Sequence, residues 1–566
     1  MVFVYATLFL SLGLIHLRFD RRWWDGQRVR LAIGIPLIAA FVYVKMPPLV
    51  FPQAFAYLLY PLVPSAAYGL ADAARTAVRA RRIVSLRRAP VWPYLGAVSA
   101  LAAFAGVLAL APYVDAGGLR DVAHATTATS AAPSADLARL RVVPQESAEF
   151  TGNKIVGQFG TYYRVGSYNV QLSGGRLVWI APLEYDGPLQ WLSRRTTPGV
   201  VLVDAENPDA QPELRRRAPL RYVPSALLNE NLLRHVYLRF GTERILEATV
   251  QLDETGAPQY VVPLGRPTIG WSGTVVTAVV LVDPATGAMR RIPRSAFASL
   301  PSWVGRVQPA ALALEYNRWF GAWVHGLLNY YFLRHDVHVP ARNEVFGLSA
   351  GGRFVWFVDH TSPLSDQSMT GFTYMDAISG AITYYTASSG EFNSRGAEDA
   401  VASNPVVRQG KLFPTQPLLY NLLGQNTWIV PLVAETGKYQ TLALVQAKNG
   451  HAIVGSSSSP SPQNDALAQY ATFLGMAPPS SARPSGVGSV GGGPARAEAG
   501  TIDRVAVTSD ALYFTLRGRR GVFRADLHGD ASLALARAGD RVEMSVDAVA
   551  EAIAHVRKLV DRSLVP

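Results

Sequence analysis

The sequence predicts a membrane α-helical bundle of four spans, followed outside the cytoplasm by an α+β region made of two duplicated halves and by a small C-terminal β-barrel-like domain. Three observations carry this expectation. Residues 1–113 are nearly continuous apolar segments broken by arginine. A strand–turn–strand unit recurs four times, at 177–214, 260–292, 354–386 and 428–454. The first and third units start 177 residues apart and the second and fourth 168 apart, so one pair reads as a copy of the other. The expected segments are 1–113 for the helices, 114–140 for a spacer and 141–300 for the first half. After these come 301–335 for a connecting helix, 336–475 for the second half, 476–500 for a flexible linker and 501–566 for the last domain.

The four candidate spans are 1–17, 29–44, 49–70 and 93–113. A span needs about 20 apolar residues. The fourth fits, the first is slightly short and the second shorter still. Pro36, Pro47, Pro48, Pro52, Pro61 and Pro64 crowd the second and third, so a re-entrant hairpin over 31–70 is the alternative. Arginine sets the orientation. Arg18, Arg21, Arg22, Arg28 and Arg30 follow the first span, and Arg75, Arg79, Arg81, Arg82, Arg87 and Arg88 precede the fourth. The turn between the second and third spans has only Lys45. The positive-inside rule puts both arginine loops in the cytoplasm, with the N-terminus and residues 114–566 outside. A cleaved signal peptide is disfavoured, because no charge precedes Arg18 and no small-residue cleavage site precedes the basic loop.

Charge follows the same division. Residues 1–113 hold 12 Arg and Lys against 3 Asp and Glu, which is nine of the chain's net charge of +12. The basic balance therefore reports topology and contact with anionic lipid, not nucleic acid. The absence of cysteine excludes thiol catalysis, Cys-ligated zinc and iron–sulfur clusters.

Along the remainder, 114–140 is small, polar and Ala/Ser/Thr-rich, the composition of a spacer. Pro144 and Glu146 open a helix over 145–159, stopped at Gly160. Both runs of each strand unit are rich in β-branched and aromatic residues. Asp283–Gly287 and Asp376–Gly380 are turn corners in which Gly supplies a positive φ. The first copy, Asp204-Ala205-Glu206-Asn207-Pro208, departs from that corner. An amphipathic pattern predicts a helix over 224–240, with 394–403 and 417–423 in the matching place of the second half. Strand runs followed by a helix over 547–561 suggest an OB-like or SH3-like barrel at the end.

The connecting segment 301–331 concentrates aromatics. Trp303, Trp319, Phe320, Trp323 and Tyr330 are the candidate partner-binding surface; the competing reading is a helix clamped between the halves. Candidate chemistry elsewhere is thin. Gly347-Leu348-Ser349-Ala350-Gly351 matches G-x-S-x-G, yet it leads into a strand rather than from a strand to a helix. His335, Asp336 and His338 offer donors without a further ligand nearby in sequence, so a surface loop is expected and no metal. His360 has a structural role as its default. Glu184, Asp186, Asp204, Asp283, Asp359 and Asp376 sit at strand ends or turns, where turn formation explains them. No catalytic residue and no cofactor is expected.

The repeated unit resembles the PepSY domain in its Val282-Asp283-Pro284-Ala285-Thr286-Gly287 and Met375-Asp376-Ala377-Ile378-Ser379-Gly380 corners and in its leading helix over 145–159. The longer layout resembles a family of multi-span bacterial envelope membrane proteins that has no assigned activity. In that family duplicated PepSY-like halves are joined by a W-V-x-R-V-x-P-A segment, which here is Trp303-Val304-Gly305-Arg306-Val307-Gln308-Pro309-Ala310. The resemblance implies a non-enzymatic plasma-membrane protein whose outer region binds or scaffolds an envelope or membrane partner, peptidases among them. The alternatives are an envelope hydrolase acting on peptide or cell-wall material, and an accessory subunit of a transporter or channel.

Overall fold

A computed structural model of the chain describes residues 1–15, 23–79, 92–364, 367–457, 459, 461–476, 496–507, 511–518, 522–526, 537–546 and 553–561. It divides into two compact units, Met1–Arg483 and Pro484–Pro566.

Within the first unit, two helices are long and apolar enough to cross a membrane, Gly26–Lys45 and Trp92–Val114. They leave apolar side chains such as Val29, Ile33, Leu37, Val107 and Leu110 exposed, which suits an apolar solvent rather than water. The other two expected spans differ. The first is a helix over Val2–Ser11 ending in a 3₁₀ turn, Leu12–Leu14. In the third, residues 46–50 are neither helix nor strand and Gln53–Leu58 is 3₁₀ before a helix runs over Leu59–Arg79. Prolines 47, 48 and 52 explain the break, since each removes an amide donor and disfavours helix in the residue before it. The helix Trp23–Lys45 continues through Pro36. The broken segment docks onto the β-rich part. Leu49 N donates to Gly241 O at 2.7 Å, Tyr237 Oη to Pro47 O at 2.9 Å and Gln53 Nε2 to Gly270 O at 2.8 Å.

The four sequence units become four sheets of one design. In each, a long third strand pairs with the first and second strands on one side and with the fourth on the other, and the fifth lies beyond the fourth. The long strands are Arg176–Tyr185, Pro258–Arg266, Arg353–Thr361 and Gln425–Val433. The second strands of sheets one and three, Asn169–Ser173 and Phe346–Ala350, reach their long strands through Gly-Gly turns. Gly174, Gly175, Gly351 and Gly352 all have positive φ, as a two-residue turn matching strand twist requires. The same Gly-Gly-Arg sequence recurs 177 residues on, with the offset of the duplication.

Alternation assigns the faces. Leu177, Trp179, Ala181 and Leu183 point into the main core, shared with sheets three and four through Phe357, Phe372, Trp428 and Ile429. Ile180, Val200 and Leu202 point the other way and pack on Val250, Tyr260, Val262 and Leu264 of sheet two.

Several expectations are corrected. The spacer 114–140 is structured. Asp115 caps a helix over Ala116–Val122 by accepting from Gly118 N at 3.0 Å, and Leu119, Ala123 and Leu140 are buried. Ala125–Thr127 then pairs in parallel with Ile382–Tyr384, covering the free edge of sheet three. Small residues looked like a linker, but they also let a strand lie close on a packed edge. The helix over 224–240 shortens to Leu232–Phe240, capped by Asn231, whose Oδ1 accepts from Arg234 N. The helix expected over 417–423 is a strand, Leu418–Leu422, too short for stable helix and paired with Gln425–Val433. The helix over 145–159 ends at Val156 and continues as 3₁₀, Gly157–Tyr162.

The second unit is a closed barrel of five strands: Arg496–Val507, Ala511–Leu516, Val522–Asp526, Ile553–Asp561 and Arg541–Val546, in spatial order. Ile553–Asp561 was expected within a helix. It pairs in parallel with Val522–Asp526 and antiparallel with Arg541–Val546, so it fills two open edges at once, and that pairing overrides helix propensity. The expected linker loses 496–500 to the first strand, and its residues 477–495 lie outside the described residues.

Candidate functional site

Each half is entered through an Arg-Val-x-Pro sequence, Arg141-Val142-Val143-Pro144 and Arg306-Val307-Gln308-Pro309. Proline at the helix start fits, because its missing amide would be unpaired there. Helices Gln145–Val156 and Ala310–Ala322 follow directly. The local bonding is the same in both copies. Val142 N and Val143 N donate to Ala205 O, and Val307 N and Gln308 N to Ala377 O. Trp179 Nε1 donates to Val143 O at 2.9 Å and Trp356 Nε1 to Gln308 O at 2.9 Å. The two guanidinium groups lie over the matching indoles, Arg141 over Trp179 at 5.2 Å and Arg306 over Trp356 at 4.5 Å.

The arginines cross between halves. Arg141 Nη1 donates to Gly347 O of sheet three at 2.8 Å, and Arg306 Nη1 to Asn169 Oδ1 of sheet one at 3.4 Å. This reciprocity is what a pseudo-twofold relation produces. Between them lies a cavity of about 640 Å³, lined also by Glu146, Glu149, Glu344 and Glu398.

The symmetry fails at one informative place. Arg306 holds Glu247 by two bonds of 2.6 and 2.7 Å. The residue in the same role for Arg141 is Gln416, which accepts from Nη2. Arg141 therefore has a neutral partner, and among the described residues no carboxylate pairs with it directly. Burial lowers its pKa to about 10, opposed by Tyr420 and Glu146. The nearby Glu146 is engaged by Thr415 Oγ1 at 3.1 Å and Gln416 Nε2 at 3.0 Å. Buried polar atoms without a partner also line the cavity, Arg306 Nε and Tyr168 Oη. A buried guanidinium whose hydrogen-bond partners are all neutral favours an anionic group brought from outside.

A second polar cluster is closed to solvent. Asn317 Oδ1 accepts from His360 Nε2 at 2.9 Å and Thr373 Oγ1 at 2.6 Å, and its Nδ2 donates to Ala313 O. His360 Nε2 thus carries a proton, leaving its Nδ1 to accept from His338 Nδ1 at 2.8 Å. Burial holds His360 well below the usual imidazole range and lowers His338 to about 4. Both rings are neutral and structural. Gly321 permits the approach, since a Cβ there would sit 2.1 Å from His338 O.

The aromatic set from the sequence does not form an exposed face. Phe320 is buried, and Trp303 and Trp319 pack against the main core. Trp323 and Tyr330 are half-buried, their rings tilted at 57° with centroids 5.3 Å apart. The helix is clamped between core elements, the competing reading. The exposed apolar residues of this segment are Leu328, Tyr331, Phe332 and Leu333.

Other singled-out residues resolve individually. Ser349 lies in a strand leading to a hairpin, so the strand–turn–helix of a nucleophile elbow is not formed there. Asp204, Asp283 and Asp376 accept from the amides of their own turns. Glu184 pairs with Arg164 at 2.9 Å, with burial raising its pKa. Asp359 accepts from Ser394 N at 2.7 Å, with burial pushing its carboxyl up. Asp186 sits just past its strand and is exposed. His335 and Asp336 separate from the buried His338 and meet His325 instead, a partner that sequence reasoning missed. Arg141 and Arg306 were missed as well, although the repeated Arg-Val-x-Pro was a readable signal. No protein-family model and no curated protein matches the chain.

Proposed function

We propose that this chain is a multi-pass plasma-membrane protein of the cell envelope, with PepSY-like duplicated halves that bind a carboxylate-bearing segment of a partner protein in the cavity between Arg141 and Arg306. The observation that carries this reading is the buried Arg141, whose only side chain–side chain hydrogen bond among the described residues is to the neutral Gln416. The exchange of Glu247 for Gln416 between otherwise matching positions leaves room for a carboxylate supplied by another molecule. The glutamates around the cavity suit a ligand that also carries a cation, such as a peptide segment with a basic side chain beside its carboxylate. The two arginine loops support four spans with the β-rich part outside, because the arginine-poor turns then face outward.

The site is tested by cross-linking in native membranes followed by recovery of the full chain. Wild-type protein is expected to recover a specific partner, and Arg141→Gln to lose it. A second variant, Gln416→Glu with Glu146→Gln, keeps the net charge and gives Arg141 an internal carboxylate; it is expected to fold and to lose the partner too. Equal recovery by the wild type and both variants would sink the proposal. Topology is checked separately, since the chain has no cysteine. Ser193→Cys is expected to react with an impermeant maleimide on intact cells and Ser85→Cys only after lysis; the reverse pattern would invert the orientation.

A further inference from the structure

We propose that His325, His335 and Asp336 form a binding site for a divalent transition-metal ion of the zinc type. Their donor atoms all lie within 4.8 Å of one another. Asp336 Oδ2 is 3.3 Å from His325 Nε2 and 2.8 Å from His335 Nδ1. Zinc holds imidazole and carboxylate donors at about 2.0–2.1 Å, so tetrahedral ligand atoms sit about 3.3 Å from each other. One separation already has that value. The other is a direct hydrogen-bonding distance, which a small rotation of the exposed His335 ring opens.

The backbone around these residues is shaped to bring them together. His325, Arg334 and Asp336 have φ of 60°, 55° and 56°, the left-handed region that non-glycine residues avoid. The chain between them makes one short helical turn, Gly326–Leu328, and a π-helical turn, Asn329–Leu333. Such π segments occur frequently at functional sites. Asn329 is buried and ties the two sides of the excursion. Its Nδ2 donates to Val324 O at 2.7 Å and His335 O at 2.8 Å, and its Oδ1 accepts from His335 N at 3.0 Å. The residue before His325 and His335 itself are thereby fixed to one side chain.

An exposed imidazole–carboxylate contact contributes little in water, and the side chains here are 59%, 75% and 63% exposed. That contact does not account for three left-handed residues in twelve positions, whereas a shared ion would. Two imidazoles and one carboxylate leave a coordination position open for water or for a group on another molecule. Sequence distance concealed the set, because His325 precedes the aromatic turn that folds it back.

The test uses the full chain in detergent, free of any histidine tag and stripped with chelator. Titration with Zn²⁺ by calorimetry is expected to give one equivalent of binding, and Co²⁺ to give the visible absorption of a tetrahedral site. His325→Ala and Asp336→Asn are each expected to weaken binding by at least about tenfold. His338→Phe, which alters the buried imidazole pair, is expected to bind as the wild type does. Absence of binding by the wild type at micromolar Zn²⁺, or undiminished binding by both ligand variants, would overturn the proposal.

Discussion

At the scale of single residues, the buried imidazoles tie stability to pH. His338 and His360 are neutral and sealed, so the folded state resists their protonation. Above their ordinary pKa near 6.5, folded and unfolded chains bind the same protons at these sites and no penalty arises. As pH falls from 6.5 toward 4, the unfolded chain takes up protons that the folded chain refuses, and stability drops. The shift of His338 to about 4 corresponds to a loss of about 2 kcal/mol by pH 5. Denaturant midpoints of the full chain between pH 7.5 and 5 are expected to show this slope. His338→Phe, which keeps the contacts with Phe320 and Tyr384, is expected to reduce it, the remainder belonging to His360. Trp428 lies fully buried against Phe357 and donates Nε1 to Phe392 O. Trp428→Ala is expected to cost about 3–5 kcal/mol, read from the same midpoints, because it leaves a cavity and an unpaired carbonyl.

At the scale of elements, the parallel strand Ala125–Thr127 shows how composition misleads. Ala-Thr-Thr within an Ala/Ser/Thr-rich stretch has no periodic pattern, so it read as a spacer. Its order comes from a partner more than 250 residues away, the edge strand Ile382–Thr386, which no local window contains. Ala128 N extends the pairing by donating to Tyr384 O at 2.8 Å. Ala128→Pro removes that donor and follows an already extended residue. Hydrogen exchange is expected to speed up across 382–386, with the other three sheets unchanged. The strand Ile553–Asp561 is the same lesson at the other end of the chain. Its helical appearance was local, and its two neighbouring strands are not.

At the scale of the whole molecule, the duplication places two related arginines at one cavity and gives them different partners. Arg306→Gln breaks a charge pair with Glu247 and is expected to cost about 3–5 kcal/mol. Arg141→Gln removes a buried cation whose partners are neutral, so its expected cost is smaller, about 1–3 kcal/mol from hydrogen bonds alone. Thermal melts of the two variants side by side measure the difference; equal losses would mean that the halves are energetically equivalent.

The sequence by itself determined the fourfold strand unit, its two-by-two duplication and the turn role of Asp204, Asp283 and Asp376; of its four expected spans, two are helices long and apolar enough to cross a membrane. These were legible because alternation, Gly-bearing corners and long apolar runs are local patterns, each set by a few neighbouring residues. Only the tertiary structure decided that Phe320 belongs to the core and Trp303 packs against it, that the spacer holds a helix and an edge strand, and that Arg141 and Arg306 line one cavity. It also brought His325 to His335 and Asp336. Each of these depends on contacts between segments distant in sequence, and a cation's partner or a strand's edge is chosen by packing, which periodicity does not encode.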